Sequence, residues 1–278
     1  VGEDEKSFEI AARMGIYDIQ EGDTIGDAVD CASAALNVSR KSQRKSYVWF
    51  EQEMLANSMR EKEIQNMFPL AMKNKEFVVY YQPKVQIFDK KLYGAEALVR
   101  WIRDGQVISP GQFVPVLEKD GSICDLDFYM FASVCEDIRD WLDAGLDPVR
   151  VSVNFSRLHL RNPNFVEGLI TIMQAFDIEG KYLEVELTET TGYEDFETLA
   201  QVVNRLKEYD IVTSIDDFGS GYSSLGLLKD LDVDIIKLDK SFIDNLGNED
   251  KSDEIIIKNV VNMILDLKKE AIAEGVET

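Results

Sequence analysis

One histidine and three cysteines in 278 residues leave little for soft-metal chemistry. His159 alone cannot build an imidazole metal site. Cys31, Cys124 and Cys135 lie far apart with no CxxC spacing, which argues against a disulfide framework or a zinc cluster and suits reduced thiols in a cytoplasmic protein. Any metal must therefore be held by oxygen. No run of about 18 apolar residues is present to span a bilayer, and no stretch reads as a signal peptide. Val1 rather than Met at the first position suggests a fragment of a longer chain, which leaves an upstream membrane anchor or sensor open. Positive charge is scarce: 30 Lys and Arg against 52 Asp and Glu give a net charge of -22, which repels polyanions and makes nucleic-acid polymers and anionic membranes poor partners.

What is present is enough apolar material, 45% of residues, for one large α/β domain and something small beside it. Residues 1–50 read as strand, turn, helix and strand, too short for a domain and suited to the tail of one. Residues 51–75, with Leu55, Met59, Met67 and Leu70 among polar neighbours, predict a connecting helix that Pro69 should kink or restart. Beyond it, short β-branched or aromatic runs alternate with helical patterns: 77–83, 92–101, 149–155, 182–189, 211–217, 233–239 and 270–277. Such alternation predicts a parallel sheet of βα units. Phe196, Leu199, Val202, Val203 and Leu206 form one helical stripe, and another helix opens at Ser252.

A closed barrel and an open doubly wound sheet both fit. Polar residues stand within or at the end of almost every strand: Glu96, Asn154, Glu186, Asp216 with Asp217, Lys237 and Glu274. A barrel turns all its strand ends to one mouth, whereas an open sheet has one switch point, so the barrel is favoured, with its last strand missing from these residues.

Alternation puts Glu184 and Glu186 on one strand face, and likewise pairs Ser152 with Asn154 and Ser214 with Asp216. Carboxylates crowded into a mouth repel one another unless something positive neutralises them. Glu96, Asn154, Glu186 and Asp216 offer only oxygen ligands, which select Mg²⁺ or Mn²⁺, and Asp217 is placed to bridge to a second ion. Lys237 and Arg100 add cationic donors for an anionic substrate. The chemistry indicated is metal-assisted attack of water on a phosphodiester.

In order and spacing, YYQP, AEALVRW, VNFS, ELTET, DDFGSGYSSL, IIKLDKSF and AEGVET resemble the motifs of the EAL-domain family, the phosphodiesterases of bacterial cyclic di-GMP. The resemblance runs from about Phe77 to the last residue. It implies a TIM-like (β/α)8 barrel that opens cyclic di-GMP to linear pGpG with Mg²⁺ or Mn²⁺. Carried over by position, it makes Glu96, Asn154, Glu186 and Asp216 metal ligands, with Asp217 shared between two ions. Lys237 would orient the attacking water or steady the phosphate, and Glu274 would be a metal ligand or general base. Glu189 would hold the loop DFGSGYSS, whose closure in the family links dimerisation to metal binding, so a homodimer through this domain is implied. Gln82 and Arg100 would contact substrate, and Glu277 is a lesser candidate. IRDGQ replaces the family's His-Pro after Trp101, and Ser220 stands where Thr is common. The N-terminal piece resembles the end of a GGDEF domain. The implied division is a GGDEF-like fragment over 1–50, a linker helix over 51–75 and the EAL domain over 76–278.

Each candidate also has a plainer reading. Asp216 and Asp217 could cap the following helix; Glu96 could pair with Arg100, although four residues along a strand span about 13 Å; Asn154 could satisfy backbone; Lys237 could pair with Asp239. A kinase-like reading of Asp217-Phe218-Gly219 fails for want of an HRD loop or GxGxxG. His159 is expected on a loop or the surface, and Cys124 and Cys135 as small core residues. The competing function is a receptor that binds cyclic di-GMP without cleaving it.

Overall fold

A computed structural model describes residues 12–41, 46–188, 193–219, 225–244 and 252–276. The chain divides into two compact units, Val1–Ala71 and Met72–Thr278. In the first, β1 (Met14–Ile16) and β2 (Tyr47–Trp49) pair in parallel around α1 (Ile25–Lys41), which buries Cys31, Ala34 and Ala35. The predicted connecting helix is α2 (Gln52–Lys73), and it runs through Pro69 as a single element.

In the second unit all seven expected strands form: β3 (Phe77–Val85), β4 (Leu92–Arg103), β6 (Arg150–Phe155), β7 (Leu183–Thr188), β8 (Val212–Phe218), β9 (Ile235–Leu238) and β10 (Glu270–Ala273). A further strand, β5 (Gln106–Ile108), was not anticipated. The order is β10-β9-β8-β7-β6-β4-β3, with β5 on β4. From β4 to β10 the pairing is parallel, as expected. Helices fill the crossovers: α3 (Pro110–Asp120) and α4 (Ile123–Asp143) before β6, α5 (Phe165–Ala175) before β7, and α6 (Tyr193–Lys207) before β8. Then α7 (Leu225–Asp230) precedes β9, and α8 (Lys240–Asp244) and α9 (Ser252–Asp266) precede β10. In α6 the expected stripe is buried at Leu199, Val202, Val203 and Leu206.

Two strands depart from the all-parallel expectation. β3 runs antiparallel to β4 because only six residues, 86–91, join them, and a parallel crossover needs about a dozen. IRDGQ is a tight hairpin, not a mere loop: Asp104 and Gly105 both take positive φ (51° and 76°), the two-residue turn that Asp-Gly favours, so β5 folds back on the end of β4.

The sheet curls into a half barrel. Laid flat, β4 and β10 would stand about 24 Å apart, five strand spacings. Yet the Tyr93 hydroxyl at the start of β4 donates to Glu270 at the start of β10, and Lys84 of β3 crosses the interior to Glu184 and Glu186 on β7. Strands with inward-facing polar groups thus surround a common interior, and their apolar alternates (Val151, Val153, Val185, Leu187, Ile215) pack outward under the helices.

His159 is wholly buried, contrary to expectation. A 3₁₀ turn (Arg157–Arg161) directly after β6 folds it against α4, where its Nε2 lies 3.0 Å from Asp127 Oδ2 and its ring stacks on Phe165 at 4.5 Å. Burial pushes the Asp127 carboxyl up, opposed by His159 and the Ser156 N–H. Cys135 is a core residue whose thiol burial raises to about 12, whereas Cys124 is half-buried.

Candidate active site

Each inward-facing polar side chain follows from period-2 alternation, but the stagger of a curled sheet decides which ones meet. Glu96 pairs in register with Ser152, and the next inward residue on β6 is Asn154. Asn154 pairs with Glu186, which pairs with Ser214, and the next inward residue on β8 is Asp216. Climbing one inward position at two of these steps keeps Glu96, Asn154, Glu186 and Asp216 at one level of the mouth.

At the centre stands Lys237 of β9, 1% exposed. Its Nζ lies 2.6 Å from Glu274 Oε1, 2.7 Å from Glu186 Oε2, 3.1 Å from Asp216 Oδ1 and 3.3 Å from Glu96 Oε2. Burial alone would lower its pKa, but Glu186, Asp216 and Glu96 outweigh it and raise it. The surrounding carboxylates thus favour its ammonium form, which has no lone pair to act as a base. Lys237 does not take up the plainer partnership with Asp239, which accepts from the Ser241 N–H and engages Asp217. Nor does Glu96 turn to Arg100: its Oε1 accepts from Asn154 Nδ2 at 2.8 Å.

Consecutive strand residues normally face opposite sides, so Asp216 and Asp217 needed a device to act together. The pairing of β8 with β9 slips between Ile215 and Phe218, and Asp217 takes φ 55°. This bulge turns the second carboxylate to the first, and Asp216, Asp217 and Glu274 each bring an oxygen within 4.8 Å of the others. Left-handed φ at a non-glycine residue is strain of order 1–3 kcal/mol, least for Asp and Asn, and collects at functional sites. Gly219 continues the bulge at φ 98°, where a Cβ would collide with the Phe242 ring. Gly219→Ala should therefore lower Tm by roughly 3–10 °C and reduce turnover, by melting curve and assay, because alanine fits neither the backbone nor the space.

The donor set suits a hard cation. Glu96 is pushed up by burial and by Glu186, Asp217 by burial, Asp216 and Asp239, and Glu274 by burial against the pull of Lys237. Glu186 is lowered instead, since Lys237 and Lys84 overcome its burial. Carboxylates outnumber ammonium groups, and acids so crowded favour either a proton or a divalent cation. Asp216, Asp217 and Glu274 could hold a metal ion through oxygen alone.

Other expected residues lie nearby or elsewhere. Gln82 is exposed on β3 directly opposite Glu96. Arg100 lies farther along β4, over the Tyr80 ring at 5.6 Å and donating to the Val99 carbonyl. Glu189, Ser220 and Glu277 fall outside the described residues. Lys84 and Glu184 were missed as participants. Their signal was available: Lys84 alternates with Gln82, and Glu184 with Glu186.

The EAL domain model matches residues 63–278. The chain belongs to the EAL domain family. Beyond that match, this EAL chain is 32% identical over 259 residues to the bifunctional diguanylate cyclase/cyclic di-GMP phosphodiesterase MucR of Pseudomonas aeruginosa, covering 93% of the chain and 38% of MucR. It is 35% identical over 209 residues to the probable cyclic di-GMP phosphodiesterase PdeB of Escherichia coli, covering 75% of the chain and 39% of PdeB. Among solved structures, the PaMucR phosphodiesterase in its c-di-GMP complex matches with TM-score 0.72 and 33% identity, over 78% of the chain and 87% of that one. The Xanthomonas citri FimX EAL domain, at 18% identity and TM-score 0.72 over 80% of the chain and 87% of that one, shares the fold. The EAL chain spans about two-fifths of the length of MucR and PdeB. Among the described residues, no helix is long and apolar enough to cross a membrane.

Proposed function

We propose that this chain hydrolyses cyclic di-GMP to linear pGpG with two Mg²⁺ or Mn²⁺ ions. The observation that carries the reading is the buried ammonium of Lys237 inside a ring of oxygen donors from β4, β7, β8 and the end of β10. Glu96, Asn154, Glu186, Asp216 and Asp217 would hold the ions. Bound ions would polarise the phosphoryl oxygens and lower the pKa of water.

The residues do the rest. A water oxygen attacks phosphorus, a P–O3′ bond breaks, and the freed 3′ oxygen takes up a proton, so that one water is consumed per ring opened. Glu274 accepts the proton of the attacking water, for which its raised affinity for a proton suits it. Lys237 donates to the water or to a phosphoryl oxygen as charge builds there. Gln82 and Arg100 contact the nucleotide. The reading extends to a cytoplasmic homodimer through this domain, with 1–50 the tail of a GGDEF-like domain, 51–75 a linker helix and 76–278 the EAL domain.

Incubation of the full chain with cyclic di-GMP and Mn²⁺ should yield pGpG, EDTA should stop it, and Mg²⁺ or Mn²⁺ should restore it. Tight binding without product would make the chain a receptor instead.

A further inference from the structure

Lys84 is an interior cation to which the reading above gives no role. It reaches in from the antiparallel edge strand, and its register partner Gly94 lies two residues before Glu96, so it approaches the acid cluster from behind the mouth. Its Nζ lies 2.7 Å from Glu186 Oε1 and 3.1 Å from Glu184 Oε1, with side chains 10%, 0% and 2% exposed in that order. Arg150 takes the other oxygen of Glu184 at 3.3 Å.

Glu96 and Glu186 are held alike. Each has one oxygen on Lys237, and its second oxygen is engaged from another strand: Glu96 Oε1 by Asn154, Glu186 Oε1 by Lys84. We propose that Lys84 is a positioning residue for the cation site: by engaging Oε1 of Glu186 it fixes that side chain so that Oε2 alone faces the ligand cluster. A carboxylate with one oxygen occupied offers a single, directed donor. Freed of Lys84, Glu186 could rotate or chelate through both oxygens. This rests on the metal-assisted reading above.

Lys84 could instead only balance charge, since Glu184 and Glu186 sit about 6.6 Å apart on one strand face and repel. The double variant Lys84→Met/Glu184→Gln separates the two roles. It removes one charge of each sign yet still strips Glu186 of its second partner. Mn²⁺ binding by calorimetry, apo melting temperature, kcat and KM should be measured on the full-length wild type, Lys84→Met, the double variant and Lys84→Arg.

Both methionine variants should bind Mn²⁺ about 10- to 100-fold more weakly, with kcat reduced, KM for cyclic di-GMP within about threefold, and Lys84→Arg recovering part of the loss. Wild-type Mn²⁺ affinity in the double variant overturns the proposal, as does wild-type affinity in Lys84→Met. If Lys84→Met fails to fold, the double variant decides. A wild-type chain that binds Mn²⁺ without making pGpG removes the phosphodiesterase reading, while the isotherms still decide the role of Lys84. One that does not bind Mn²⁺ removes both.

Discussion

Replacement of Lys237 by methionine should reduce turnover on the order of a thousandfold and destabilise the metal-free protein at the same time. Both effects come from one geometry, an ammonium 1% exposed and within 3.3 Å of four carboxylates on four different elements. Loss of a single preorganised donor typically removes about 10²–10³ in kcat, and here the donor also aligns its neighbours. Methionine fills a similar volume without the charge and leaves Glu96, Glu186, Asp216 and Glu274 facing one another. Breaking a buried ion pair costs about 3–5 kcal/mol, which for a chain of this size is roughly 6–20 °C in Tm. In EDTA that fall should be seen in full. Added Mg²⁺ should restore part of it, because a cation replaces the missing positive charge in the folded state alone. Lys237→Arg should not rescue activity, since a planar guanidinium is not a compact point charge. Turnover within about threefold of wild type in Lys237→Met would remove Lys237 from the mechanism.

Alternation made most of this site readable from sequence. Glu96, Asn154, Glu186, Asp216, Lys237 and Glu274 each stand in or just after an apolar run, where solubility does not account for a polar residue, and the structure gathers Glu96, Glu186, Asp216 and Glu274 on the Lys237 ammonium, with Asn154 bonded to Glu96. Period 2 says which face a side chain takes but not which strand lies opposite. Glu96 meets Lys237, 141 residues away, only because the sheet curls, and curling comes from twist and stagger summed over the strands. Lys84 escaped notice for the same reason: a lysine near the exposed end of an edge strand reads as solvated until the barrel wall opposite is in place. The β3–β4 hairpin was misread for a simpler cause. The eight residues between the runs, 84–91, are too few for a parallel crossover, and Asp104-Gly105 carries a turn signal of its own. His159 defeated the sequence differently, because its partner Asp127 is 32 residues earlier, a lone acid on the buried apolar face of α4 beside Leu126, Met130 and Phe131.

Asp217 is where catalysis and stability should pull apart. Its carboxyl is pushed up by burial and by Asp216 and Asp239, so in the metal-free protein its charge is a burden. Asp217→Asn keeps the shape and the left-handed φ of 55°, which asparagine tolerates at least as well. It removes only the charge. In EDTA the variant should melt at or slightly above the wild-type temperature, because one like-charge contact is gone. Turnover should nonetheless fall by about 10²–10⁴, and the stabilisation that Mn²⁺ adds should shrink, since an amide oxygen bridges two cations far less well than a carboxylate. Cyclic di-GMP binding should persist in part. This combination of equal or greater stability with lost activity distinguishes a residue kept for chemistry from one kept for folding. Unchanged kcat in Asp217→Asn would remove the second ion from the mechanism, and a large fall in the EDTA melting temperature would mean that the bulge at Asp217 serves the fold instead.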